Sequence, residues 1–166
     1  MPLESYKENL ENILTHPLIT AHDPKILVAI PPPVDAFRCL QVDLEKGVGE
    51  VRREADRTAS FAQGAREVAA KLGDKVAVVD LWKVFMDEAI KNTPAYDASD
   101  PLLGSRELGG SQALIDLVED GLHMTSKGYK LFFEALVDAL EEKWPDNLPQ
   151  HFPLPLPVWG EAPKLT

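Results

Sequence analysis

The sequence predicts an α/β fold whose strands run parallel and are joined by helical crossovers, and three observations carry that prediction. Two short apolar runs, KILVAI at residues 25–30 and VAVVDL at 76–81, have the length and β-branched content of strands buried on both faces. An amphipathic segment of helical period lies between them, and others precede and follow. The resulting order of helix, strand, helix, strand, helix, helix is the alternation that right-handed crossovers turn into a parallel sheet.

Each element has its own signal. Leu3, Tyr6, Leu10, Ile13 and Leu14 recur at helical spacing with Glu4, Lys7, Glu8 and Glu11 opposite, and the pattern stops near His16-Pro17. KILVAI then runs into Pro31-Pro32-Pro33, which halts a strand abruptly. Residues 34–50 show no clean period and contain Gly47 and Gly49, so they read as a long loop. From Val51 to Leu72 a helix is expected, with Ala55, Phe61, Ala65, Val68, Ala69 and Leu72 towards a core and Gly73 ending it. VAVVDL is the second strand, and a helix from Trp82 to about Lys91 follows it. Residues 92–111 hold Pro, Gly, Asp and Ser and read as a loop, and 114–118 as a short helical turn. Thr125 is placed to cap a last helix with Tyr129, Phe132, Phe133, Leu136, Val137 and Leu140 on its apolar side, ending at Trp144-Pro145. The tail from Pro145 holds six of the fourteen prolines. Its H-F-P-L-P-L-P-V-W stretch is no core segment. It is expected to wrap the surface in extended form, or else to offer a polyproline II ligand to a partner. The expected organisation is one domain over 1–144 and a Pro-rich tail over 145–166.

Composition narrows the class of function. The chain has 166 residues, 45 % apolar and 27 % charged, enough for one domain with a core. Its formal net charge of −10 argues against nucleic acid or an anionic membrane as the main partner. The single cysteine, Cys39, excludes an internal disulfide, and no zinc spacing accompanies it. The N-terminal MPLESYKENL has neither a basic region nor an apolar run, and no apolar run in the chain is long enough to span a bilayer. A reduced, cytoplasmic protein is expected.

The chemistry concentrates in VEDGLHMTSKGY, residues 118–129. Asp120 and His123 stand three residues apart just before the last helix. A histidine becomes a useful base when one ring nitrogen faces a nucleophile and a carboxylate holds the other, fixing the tautomer and stabilising the imidazolium as it forms. Gly121 allows a sharp turn, Leu122 offers an apolar anchor, and a helix N-terminus nearby favours the neutral ring. The spacing alone is common, and a histidine before a helix is more often a surface or capping residue. What adds weight is the setting: buried strand, loop, D-G-L-H, then T-x-x-G-Y and an amphipathic helix.

In that setting the chain resembles the SGNH, or GDSL-type, hydrolases, and within them the isoamyl acetate-hydrolysing esterase group. D-G-L-H-M-T-S-K-G-Y resembles the block that carries that family's catalytic acid and histidine. K-I-L-V-A-I-P-P-P is similar to its fourth strand and proline run, R-R-E-A-D-R-T-A-S-F-A followed by V-A-V-V-D-L-W to its next helix and strand, and P-L-E-S-Y-K-E-N-L to the helix after its third block. The resemblance covers nearly all of residues 2–144. It implies a three-layer α/β/α fold with a five-stranded parallel sheet, here incomplete, and hydrolysis of small carboxylic esters with no metal or cofactor. His123 would be the general base and Asp120 its orienting acid.

The same resemblance exposes what the sequence does not contain. The family's nucleophile sits in a G-D-S block after its first strand, and its oxyanion donors include a G-x-N-D block; neither is present. None of Ser5, Ser60, Ser99, Ser105, Ser111 and Ser126 follows an apolar strand at a strand-to-helix turn, although Ser111 is flanked by glycines. Three readings stand. The first is a C-terminal part of an SGNH esterase, the first three strands absent, with little activity alone. The second is a non-catalytic protein that associates through the unpaired edge of KILVAI, with itself or with a complementary fragment. The third, and weakest, is an enzyme that uses Cys39 as nucleophile beside Asp120 and His123. Asp80, at the end of its strand, either lines a cleft or caps the next helix, and His16 and His22 read as solvent-exposed.

Overall fold

The structure, a computed structural model, describes residues 1–50, 52–151 and 160. Helix α1 (Leu3–Leu14) is followed by the single turn α2 (Pro17–Thr20), which His16 caps by accepting the Leu18 N–H on its ring Nδ1. Strand β1 (Ile26–Ile30) leads to α3 (Ala36–Glu45) and α4 (Ala55–Leu72). Gly73, at φ 55°, turns the chain into strand β2 (Val76–Asp80), and α5 (Leu81–Lys91) follows directly. Then come the single turn α6 (Gln112–Ile115) and the long α7 (Ser126–Lys143).

The two strands pair in parallel, with Ile26 opposite Val76 and Ile30 opposite Asp80. Because side chains alternate along a strand, the sheet presents two faces. Val28, Ile30 and Val76 pack with Leu14 of α1 and Ala62, Ala65, Val68 and Ala69 of α4. Ala77 and Val79 point the other way, towards the side where α7 and α5 lie. A second core joins Phe85, Met86 and Ala89 of α5 to Leu103, Leu114, Leu117 and Val118. Helices therefore cover both faces of a parallel sheet, the three-layer α/β/α arrangement that was expected.

Three expectations need correction. Residues 34–50 are not a long loop: α3 occupies Ala36–Glu45, with the Asp35 carboxylate accepting the Arg38 N–H at 2.7 Å as its N-cap. No Pro or Gly interrupts that stretch, and Ala36 and Cys39 are its buried positions, one turn apart. Helix α4 begins at Ala55, not Val51, with Glu54 at its N-cap position; Val51 itself lies outside the described residues. The strands are not buried on both faces throughout. Ala29 and Val78 are exposed and Leu27 is half-buried, because a sheet of two strands has no lateral neighbours to shield its outer edges among the described residues. The expected wrapping of H-F-P-L-P-L-P-V-W falls, beyond His151, outside the described residues. Up to His151 the chain is docked: Leu148 is buried and Lys25 donates to the Asn147 side chain.

Candidate active site

The loop from Val118 to Thr125 is fixed from both sides. Its ends are drawn together by an antiparallel bridge between Val118 and Met124, and Glu119 N–H donates to the His123 carbonyl at 3.0 Å. Thr125 caps α7 by accepting the Gly128 N–H, while its own hydroxyl donates to the Asp116 carbonyl at 2.7 Å. Gly128 lies so close to the preceding turn that a Cβ there would stand 2.4 Å from the Leu117 carbonyl oxygen. Gly121 is at φ 84°, and a Cβ would meet the Asp35 carbonyl oxygen at 2.4 Å and the Cys39 Sγ at 2.9 Å. Only glycine fits that left-handed, crowded position. The loop is thus seated on the first turn of α3, at the C-terminal end of β1, and the Asp35 N–H donates to the Gly121 carbonyl at 3.0 Å.

Within this frame Asp120 and His123 meet. His123 Nδ1 lies 2.7 Å from Asp120 Oδ2. The other carboxylate oxygen accepts the backbone N–H of His123 at 2.8 Å and of Leu122 at 3.1 Å. Partial burial resists ionisation of Asp120, yet the His123 backbone N–H, the His123 ring and the Leu122 N–H overcome it and hold the carboxyl at about 2. An ionised carboxylate can only accept, so Nδ1 carries the proton, and in the neutral ring Nε2 is the nitrogen with the free lone pair. The side chain of His123 is 79 % exposed, against 29 % for Asp120. The arrangement is an imidazole with its tautomer fixed on one side and an open basic nitrogen on the other. Chemically, it can take a proton from a hydroxyl or water brought to Nε2.

No hydroxyl is brought there by the described residues. Ser111 is buried, accepts the Leu114 N–H at 3.3 Å and caps α6. Ser60 donates to the Asp56 carbonyl, and Ser99 to the Asp97 carboxylate. Cys39 lies against the loop, but it is buried; burial first, and the nearby carboxylates of Asp120 and Asp35 after it, push its thiol up to about 11 despite Arg53. A thiol held neutral in this way is a poor nucleophile, which removes the support for the Cys39 reading. Asp80 is spent as well. Its carboxylate accepts from the Arg66 guanidinium at 2.8 and 3.0 Å and from the Lys83 N–H, capping α5. The described residues hold no cluster of three or more His, Cys, Asp or Glu side chains that would bind a metal.

One residue that the sequence reading passed over organises the region. Asp35 is 0 % exposed. Besides capping α3, its carboxylate accepts the Ser111 N–H at 2.7 Å, so one side chain ties the β1–α3 connection to the end of the 92–111 loop, while its backbone holds Gly121. Burial pushes its carboxyl up, against the Arg38 and Ser111 N–H groups. The available signal was an aspartate just before an uninterrupted run of helix formers. A cavity of about 330 Å³ between Leu14, Lys25, Leu72, Asp74 and Trp144 sits at the opposite end of the sheet from Asp120 and His123.

Comparison with known proteins agrees on one kinship. The family model described as GDSL-like lipase/acylhydrolase matches residues 1–136. The isoamyl acetate-hydrolysing esterase of Schizosaccharomyces pombe is 44 % identical over 45 residues, 27 % of this chain and 18 % of that protein. A GDSL esterase/lipase of Arabidopsis thaliana is 26 % identical over 99 % of this chain and 60 % of its own length. The matched stretches thus span 18 % and 60 % of these relatives' own lengths, less than two thirds of either.

Proposed function

The chain belongs to the GDSL-like lipase/acylhydrolase family, and from that premise we propose that Asp120 and His123 are the orienting acid and general base of serine-type hydrolysis of small, acetate-type carboxylic esters. The observation that carries this reading is the His123 Nδ1 to Asp120 Oδ2 hydrogen bond of 2.7 Å, on a loop that also satisfies the carboxylate's second oxygen. In such a reaction Nε2 takes the proton of the attacking hydroxyl and returns it to the leaving alcohol, while Asp120 stabilises the imidazolium between the two steps. The relatives' names support the ester class. No helix among the described residues is long and apolar enough to cross a membrane.

On this reading the nucleophile and the oxyanion donors belong to G-D-S and G-x-N-D segments, motifs that these 166 residues do not contain. On their own, the 166 residues supply the base half of the site and little turnover, because losing oxyanion donors alone costs about a hundredfold or more and losing the nucleophile costs more again. The test is hydrolysis of nitrophenyl acetate by the chain and by His123→Ala. Both should stay at background. Turnover by the 166-residue chain that vanishes in His123→Ala would overturn this reading, since the machinery would then be complete. An in-frame upstream segment bearing the two missing motifs, joined to the same chain, should restore an activity that depends on His123.

A further inference from the structure

Asp35 is a buried acid to which the proposed hydrolysis gives no part. Both of its oxygens are taken by backbone N–H groups rather than by a cation: one by Arg38, the other by Ser111, each at 2.7 Å. Helix α5 is capped differently, since its Asp80 is half-buried and matched by the Arg66 guanidinium. A helix cap needs one acceptor, and serine or asparagine supplies it about as well as aspartate. Taking a carboxylate out of water is costly, and burial does push the Asp35 carboxyl up. The second oxygen accounts for the choice. Serine is too short to reach both N–H groups, and asparagine would turn its NH2 against one of them.

The bond to Ser111 gains its importance from what the same residue carries on its backbone. Asp35 N–H donates to the Gly121 carbonyl at 3.0 Å, and the Asp35 carbonyl accepts the Cys39 N–H at 2.9 Å. The next residue, Ala36, donates to the Gly104 carbonyl at 2.7 Å. Among the described residues, the Asp35 N–H makes the one hydrogen bond that reaches residues 119–123 from outside the catalytic loop. Gly121 directly follows Asp120 and stands two residues before His123. The His123 ring is mostly exposed and has little packing of its own, so its place is inherited from the loop. A shift of the backbone at residue 35 would carry Gly121 with it and strain the short bond between Asp120 and His123.

We propose that Asp35 is a positioning residue for the hydrolytic base: by tying Ser111 to the start of α3 it fixes the backbone that seats Gly121, and so keeps Asp120 on His123 Nδ1 in the tautomer that leaves Nε2 basic. The proposal rests on the reading of Asp120 and His123 as orienting acid and base. Asp35 touches neither side chain; it acts through Gly121.

The test reads the ring, not turnover, in the 166-residue chain. Nitrogen chemical shifts of the neutral imidazoles report which nitrogen holds the proton. His16 is the opposite reference within the same molecule, because its Nδ1 accepts the Leu18 N–H and its proton is therefore on Nε2. His123 should be in the Nδ1–H form. Asp35→Asn and Asp35→Ser each keep a cap for α3 and drop the bond to Ser111. In both, His123 should lose the pure Nδ1–H form to a mixture of tautomers, with His16 unchanged. Ser111→Ala removes the hydroxyl that caps α6 but keeps the N–H that Asp35 accepts, so His123 should stay as it is in the unaltered chain. A general weakening of the fold would move His123 in all three variants alike, and that result would overturn the proposal.

Persistence of the Nδ1–H form in both Asp35 variants would also overturn it, while leaving the hydrolytic reading in place. An Nε2–H His123 in the unaltered chain would instead sink that reading, and the proposal with it. Native-state hydrogen exchange of the unaltered chain covers the case in which both Asp35 variants unfold. The Ser111 and Asp35 amides should open together as one unit. A Ser111 amide that exchanges at least about tenfold faster than that of Asp35, after correction for intrinsic rates, would show that the tie does not hold the seat.

Discussion

At the C-terminal end of β1, three segments distant in sequence lock together: the start of α3, Gly104 and Ser111 of the 92–111 loop, and the D-G-L-H loop. Their backbone donors find acceptors, and three glycines make contacts that no other residue permits. Along the outer edge of β1 and the outer side of α7 the picture reverses. Ala29 and Tyr129 are exposed, Phe133 is 64 % exposed, and Gly128 is the only buried residue of the 18-residue α7. The difference teaches that local geometry and global cover are separate achievements. The Asp120–His123 pair is held by bonds within about ninety residues of chain, so it is preorganised before the sheet around it is wide. What is left uncovered is apolar surface, whose burial needs more chain than the described layers provide.

The sharpest way to break the finished end is Gly121→Ala. A Cβ there meets the Asp35 carbonyl at 2.4 Å on a backbone already at φ 84°, so clash and conformational strain add. The expected cost is about 4 kcal/mol in urea unfolding, large against a domain's whole stability. A fully folded Gly121→Ala protein with unchanged midpoint would show that the loop is not seated on α3 as described. Asp35→Ala comes next. It leaves the Arg38 and Ser111 N–H groups without their acceptor in a buried place, at roughly 1–3 kcal/mol each. A loss below about 1 kcal/mol would mean that water replaces the carboxylate.

How much of this was legible follows from the same comparison. The strands, α1, α4, α5 and α7 announced themselves through local period and punctuation, and Thr125 as the cap of α7 could be named from its place before S-K-G-Y. The proximity of Asp120 and His123 was legible because both lie on one short loop. Helix α3 was hidden by its neighbours: three prolines before it and Gly47 and Gly49 after it made the whole stretch look irregular. Asp35 was missed because its second partner, Ser111, is 76 residues away, and no local pattern encodes a contact of that kind. The exposed faces of Ala29 and Val78 were missed for a related reason. An apolar run tells what a strand is suited to bury, not how many neighbours are there to bury it.

Two aspartates of the finished end should respond to pH with opposite signs. Asp120 titrates at about 2, below the usual carboxylate value of about 3.9. Its contribution is present above pH of about 4 and is lost as pH falls towards 2. Asp35 is pushed up by burial, so its contribution is present below its ordinary value and is lost as pH rises through the raised one. Urea midpoints of Asp120→Asn should therefore fall less steeply on acidification than those of the unaltered chain, and those of Asp35→Asn less steeply as pH rises from about 4. Identical slopes in all three proteins would mean that neither carboxyl is held as its hydrogen bonds indicate.

The smallest effect belongs to the unfinished side. Phe133 sits mid-helix on α7 with most of its ring in solvent. Removing it takes away little buried area, so Phe133→Ala should change the urea midpoint by no more than about 0.5 kcal/mol equivalent, as for other exposed positions. The same residue in the core would cost about 3–5 kcal/mol. The contrast separates an α7 face that is open in this chain from one that is covered. If Phe133→Ala destabilises the 166-residue chain by 2 kcal/mol or more, the face has a cover that the described residues do not supply. If it does not, but becomes destabilising once upstream family segments are joined on, α7 is the surface on which those segments build the rest of the core.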